Sequence, residues 1–161
     1  MRILGIDPGY ERLGIAIMEK RENKDFLVYS ECFQTSKETP FHERLLLLGE
    51  RIGEVIKEYK PNAMSIETLM FNTNQKTAMN VAEARGVILF QGMKGGLEIF
   101  EFTPLQIKIA ITGYGRSDKN QVTEMTKRLV KIDKKGAKDD EYDAIACAIT
   151  CFASYNTLKI R

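Results

Sequence analysis

Ile3-Leu4-Gly5-Ile6-Asp7-Pro8-Gly9, with Leu13-Gly14-Ile15-Ala16-Ile17-Met18-Glu19 behind it, decides how this chain folds. Each is a short apolar run bounded by turn residues, so Ile3 to Asp7 and Leu13 to Glu19 read as β-strands. Pro8-Gly9 supplies the turn between them. The charged stretch from Glu19 to Asp25 turns the chain into a third strand, Phe26 to Thr35. Two successive hairpins make an antiparallel meander.

Beyond the meander, helices and strands alternate. Thr39-Pro40 starts a helix with Thr39 as N-cap and Pro40 in the first turn. Leu45, Leu48, Ile52, Val55, Ile56 and Tyr59 then recur on one helical face, and Pro61 stops it. Ala63 to Thr68 is a short buried strand. A helix from about Asn74 to Met93 follows, ended by Gly95-Gly96, and Leu97 to Thr103 is a fifth strand. Thr103-Pro104 repeats the Thr-Pro start for a short helix to Thr112. After the loop Gly113-Tyr114-Gly115-Arg116, a helix covers about Asp118 to Ile132, capped by Ser117 or Asp118. The basic tract Lys131 to Lys138 leads to a last helix, about Asp140 to Tyr155. The order βββαβαβααα predicts an α/β domain over residues 1–161. Its five-stranded mixed sheet has three antiparallel strands, then helix-linked strands, with helices on both faces. Right-handed crossovers place the fourth strand beside the first and bring Glu67 toward Asp7.

Composition narrows the class. The chain has 161 residues, 43% hydrophobic and 29% charged, with a net charge of +2. That is an ordinary globular composition. The opening Met-Arg-Ile-Leu-Gly-Ile-Asp is interrupted by charge too early for a secretory signal. No apolar run approaches the ~18 residues of a membrane span. One histidine, three cysteines and no C-x-x-C argue for buried free thiols in a reducing cytoplasm rather than zinc or disulfides.

Four carboxylates carry the chemistry. Asp7 ends the first strand, where a turn-forming Asp before Pro-Gly is the plainer reading. Glu67 follows Met64-Ser65-Ile66, apolar surroundings in which an unpaired carboxylate is poorly solvated. Asp140 and Asp143 share one face of the last helix at i, i+3 spacing. Acids in a first turn also cap and complement the helix dipole, the role given to Asp139 and Glu141. Asp143 directly precedes the small apolar Ala144-Ile145-Ala146 and so faces inward. Together the four make an oxygen-rich site suited to Mg²⁺ or Mn²⁺, the ions that drive phosphodiester cleavage. Lys108, Arg116 and Lys119 flank the glycine loop before a helix start, a setting that attracts anions but is also a common connector. Phe71 lies just beyond Glu67, either as a buried anchor or as an aromatic that stacks on bases. Ala78, Ala82, Ala84 and Gly86 are mostly core, though small residues also permit close contact across a dimer axis.

These motifs resemble, in order and spacing, the RuvC family of Holliday-junction resolvases. Ile-Leu-Gly-Ile-Asp-Pro-Gly with Gly14 is similar to its first motif. Glu67 with Phe71, Asn74 and Ala82-Glu83-Ala84-Arg85-Gly86 resembles its second. Lys108, Gly113, Gly115, Lys119 and Gln121-Val122 resemble its DNA-contacting segment, and Asp140 through Ala146 its closing acid motif. The resemblance implies a ribonuclease-H-like fold and a homodimer that nicks four-way DNA junctions in pairs, with a branch-migration helicase complex as partner. It implies two Mg²⁺ ions per subunit, replaceable by Mn²⁺, with Asp7, Glu67, Asp140 and Asp143 as ligands. Lys108, Lys119, Arg116 and Phe71 are then expected at the DNA, although Met70 holds the place where the family carries its probing aromatic. The ends expected are 5′-phosphate and 3′-hydroxyl. A related YqgF-type nuclease acting on RNA or on branched DNA is the alternative. Actin-like ATPases share the Asp-Pro-Gly hairpin and sheet but require a second lobe, for which 161 residues leave no room.

Overall fold

Side chains of the first strand, β1 (Arg2–Asp7), alternate between two cores. Leu4 and Ile6 join one apolar cluster, while Ile3 joins the other. The coordinates are a computed structural model that describes residues 1–22, 24–69, 75–132 and 136–158. Strands β2 (Arg12–Arg21) and β3 (Lys24–Gln34) complete the meander. Helix α1 (Phe41–Tyr59) leads to β4 (Ala63–Glu67), and α2 (Gln75–Lys94) leads to β5 (Glu98–Phe102). Three helices close the chain: α3 (Pro104–Thr112), α4 (Lys119–Leu129) and α5 (Asp139–Leu158).

The sheet order is β3-β2-β1-β4-β5. β1 pairs antiparallel with β2 and parallel with β4, and β4 pairs parallel with β5. The expected mixed sheet is therefore present, with helices on both faces. α1 and α2 cover Leu4, Ile6, Ile15 and Ile17, whereas α3, α4 and α5 cover Ile3, Ala16 and Met18.

Local chemistry moves several boundaries. Pro40, in an extended conformation, is the N-cap of α1, and no side chain caps the helix. The expected cap, Thr39, instead sits in a turn in which its N–H donates to the Ser36 carbonyl. α3 does begin at its Thr-Pro, with a capping box between Thr103 and Gln106. α4 stops at Leu129, not Ile132, because Val130 turns extended and is buried in the core. α5 starts one residue earlier than expected and runs on to Leu158. The expected start of α2 at Asn74 lies outside the described residues.

One register row explains how α5 reaches the sheet. Ser30, Ala16, Gly5, Ser65 and Phe100 are neighbours across β3, β2, β1, β4 and β5. A Cβ on Gly5 would lie 2.1 Å from the Ala144 carbonyl oxygen and 2.8 Å from the Ala148 Cβ. Only a bare backbone lets the helix lie this close. Ser65 fixes the contact by donating to the Cys147 carbonyl over 2.7 Å. At the other end of the row, Ser30 donates to Glu141 over 2.7 Å. Among the described residues, no helix is long and apolar enough to cross a membrane.

Candidate active site

The row one step toward the carboxyl end of β1 carries the acids. Asp7 shares parity with Ile3 and Gly5, and Glu67 with Ala63 and Ser65, so both point to the face that α5 covers. Gly14 stands directly opposite Asp7 in β2. A Cβ there would come within 2.1 Å of the Asp140 carbonyl oxygen and 3.0 Å of the Asp7 Cβ. This glycine is thus what allows the first turn of α5 to bring Asp140 and Asp143 down beside Asp7.

Electrostatics registers the crowding. Burial, then Asp143, Glu67 and Asp140, push the Asp7 carboxyl up to about 8, against a smaller opposing pull from Lys119. Burial and then Asp143 push Glu67 up to about 7, with Lys119 and Lys108 opposing. Asp143 is also raised, chiefly by burial, although Lys119 pulls it back. Near neutral pH burial and the neighbouring acids therefore favour the protonated form of Asp7 and leave Glu67 close to its midpoint.

Two cations attend the acids on α5. The Lys119 Nζ lies 3.1 Å from Asp143 and 3.8 Å from Asp139. The Arg12 guanidinium pairs with Oδ2 of Asp140, and the Cys32 thiol donates to the same oxygen over 3.4 Å. Glu67, Asp143, Lys108 and Lys119 line one cavity of about 220 Å³ together with Ile107 and Val122. Glu141 has the capping role expected of it: it is buried and accepts from the Lys138 N–H over 3.1 Å.

The structure thus gathers Asp7, Glu67, Asp140, Asp143, Lys108 and Lys119. Arg116 is exposed on the loop before α4, and among the described residues no hydrogen bond or ion pair ties it to the acids. Phe71 lies outside the described residues. The helix start at α4 is less open to anions than its glycines suggested. A capping box takes the N–H groups of Asp118 and Gln121, so the ammonium of Lys119 is the main attraction there.

Sequence reasoning missed Arg12 and Cys32, and it named Arg85 within a motif without giving it a task. The first two share parity with Gly14 and Asp7 across the sheet, a signal available once the register is known. Arg85 donates to the Glu67 carbonyl over 3.2 Å and pairs with Glu101, which steadies the end of β4.

Hard carboxylate oxygens with surplus negative charge suit a divalent cation of the magnesium class. Among the described residues, no three acidic, thiol or imidazole groups yet close around one point. Arg12 pairs with one oxygen of Asp140 and Lys119 with Asp143, so ion binding at Asp143 requires the lysine to turn.

Comparison with known proteins gives consistent matches. The family model described as "Crossover junction endodeoxyribonuclease RuvC" matches residues 3–151. The protein of that name from Desulfitobacterium hafniense is 44% identical over 159 residues, covering 99% of this chain and 96% of its own. The one from Thermosipho melanesiensis is 47% identical over 148 residues, covering 92% and 94%. Among solved structures, Thermus thermophilus RuvC in complex with Holliday junction substrate matches with a TM-score of 0.89 and 29% identity, covering 99% of this chain and 96% of that one. The yeast mitochondrial Holliday junction resolvase Ydc2 matches with a TM-score of 0.73 at 13% identity, over 99% of this chain and 80% of that one, a likeness of fold alone. The sheet and its helices are the ribonuclease-H-like nuclease fold.

Proposed function

The chain belongs to the RuvC family of crossover junction endodeoxyribonucleases, and from that premise we propose that Asp7, Glu67, Asp140 and Asp143 are its catalytic, metal-binding acids. The protein is an endonuclease that resolves Holliday junctions, and its family depends on divalent metal. The observation that carries the site assignment is the convergence of acids from β1, β4 and α5, with Asp7 raised by burial and by the other three. Mg²⁺ is the proposed ion, two per subunit, with Mn²⁺ able to substitute. When bound, such ions supply Lewis acidity at the scissile phosphate and an acidified water for in-line attack.

The chain's own groups have separable tasks. Asp7, between Glu67 on one side and Asp140 and Asp143 on the other, gives up the proton it holds near neutral pH. Arg85 keeps the Glu67 backbone in place. Lys119, once it leaves Asp143, and Lys108, which lines the same cavity, lie where they can neutralise a DNA phosphate. Arg116 and Phe71 are proposed as outer DNA contacts. Cleavage leaves 5′-phosphate and 3′-hydroxyl ends.

A homodimer, which would match the twofold symmetry of a junction, finds support on α2. Met79, Phe90 and Met93 are 62%, 63% and 65% exposed, and with Glu83 and Gly86 they form one helical stripe. A branch-migration helicase is proposed as partner from family resemblance alone. A reducing cytoplasm suits the buried free thiols of Cys147 and Cys151.

The test offers the purified protein a synthetic four-way junction with Mg²⁺, beside linear duplex, three-way and RNA substrates. Symmetric nicks confined to the junction, sealed afterwards by a ligase, support the reading. Equal cutting of duplex, or preference for linear RNA, would overturn it.

A further inference from the structure

Two side-chain donors hold Asp140 asymmetrically. Both of its side-chain donors, the Arg12 guanidinium and the Cys32 thiol, meet the same oxygen, Oδ2. Among the described residues no hydrogen bond reaches Oδ1. Arg12 opens β2 and Cys32 lies opposite Gly14 in β3, so the donors come from two strands fixed by the sheet register. Asp140, by contrast, sits in the first turn of α5, and Gly14 holds its backbone against the sheet. The backbone is thereby set by β2, and one carboxylate oxygen is set by Arg12 and Cys32.

We propose that Arg12 is a positioning residue, which holds Oδ2 of Asp140 and so leaves Oδ1 as the oxygen offered to a divalent cation. This rests on the reading of Asp140 as a metal ligand. Carboxylate ligands of metals are commonly held by hydrogen bonds from an outer shell, and losing such a bond typically weakens metal binding about 10- to 100-fold. A bare charge effect has the opposite sign. Removing a guanidinium close to a cation site relieves repulsion and tightens cation binding. The direction of the change therefore separates positioning from simple charge balance. The Arg12 side chain is 47% exposed, so its replacement leaves the core intact.

The experiment titrates Mn²⁺ into the metal-free protein, following the free ion by electron paramagnetic resonance, for the wild type, Arg12→Ala, Arg12→Lys, Asp140→Asn and the Arg12→Ala/Asp140→Asn pair. Junction binding is measured in parallel without metal. The expected result is that Arg12→Ala weakens Mn²⁺ binding about 10-fold and that Arg12→Lys recovers part of it. Arg12→Ala should add nothing further in the Asp140→Asn background, the non-additivity of groups acting through one another. Unchanged or tighter Mn²⁺ binding by Arg12→Ala, with Asp140→Asn still weak, overturns the role of Arg12 alone. Normal Mn²⁺ binding by Asp140→Asn overturns the ligand assignment beneath it. Loss of metal-free junction binding in Arg12→Ala, with Mn²⁺ binding intact, makes Arg12 a DNA contact and likewise overturns the proposal.

Discussion

Replacing Asp7 with Asn should stabilise the metal-free protein, and increasingly so as pH rises. Burial and the neighbouring acids push the folded carboxyl up to about 8, whereas an unfolded aspartate titrates near 3.9. Between those values the folded chain keeps a proton that the unfolded chain releases. Wild-type stability must then fall as pH rises through that window. Between pH 5 and 8 an isolated group of this kind loses about 4 kcal/mol, at ~1.4 kcal/mol per unit. Asp7 titrates together with Asp143 and Glu67, and sharing protons among them reduces this to about 2 kcal/mol. An asparagine cannot ionise and escapes the penalty. The stability gap between Asp7→Asn and wild type should therefore widen by about 2 kcal/mol from pH 5 to pH 8. For a chain of this size that corresponds to roughly 4–8 °C in Tm. Calorimetric melts in EDTA at both pH values measure it. A gap that does not change with pH, or that narrows, would refute the claim that Asp7 sits among uncompensated acids.

Other outcomes follow from the same geometry. Glu67→Gln should lower junction nicking by more than about 100-fold, beyond the loss typical of outer-shell changes, while gel-shift binding to the junction is retained. Gly14→Ala places a methyl 2.1 Å from the Asp140 carbonyl oxygen, so it should cost about 3 kcal/mol or more in denaturant unfolding and abolish nicking together. Phe90→Glu, on the exposed stripe of α2, should leave the far-ultraviolet circular dichroism of the fold unchanged yet halve the mass seen by sedimentation. A monomeric wild type would remove the basis for that last expectation.

How much of this was legible in the sequence depended on whether the signal was local. The meander could be read because each strand is an apolar run between turn residues, and handedness rules then placed β4 beside β1. The neighbouring ends of those strands brought Glu67 toward Asp7, and the i, i+3 spacing put Asp140 and Asp143 on one helical face. Gly5 and Gly14 stood within recognisable motifs, but what they make room for, the carbonyls of Ala144 and Asp140, lies more than a hundred residues away. The Arg12–Asp140 pair and the Cys32 contact are hidden for the same reason. They arise from strand register and helix docking, which no short window of sequence contains. Local errors had local causes. Proline took the cap position of α1, and Val130 was drawn into the core before α4 could complete another turn.

The most direct test of the shared acid site is anomalous diffraction from crystals of the wild type soaked in Mn²⁺. Manganese peaks bounded by Asp7, Glu67 and the two α5 aspartates, with Lys119 turned away from Asp143, are the predicted result. Ordered protein with no manganese among these carboxylates, or with the ion bound elsewhere while the soaked protein still cuts junctions, would contradict it.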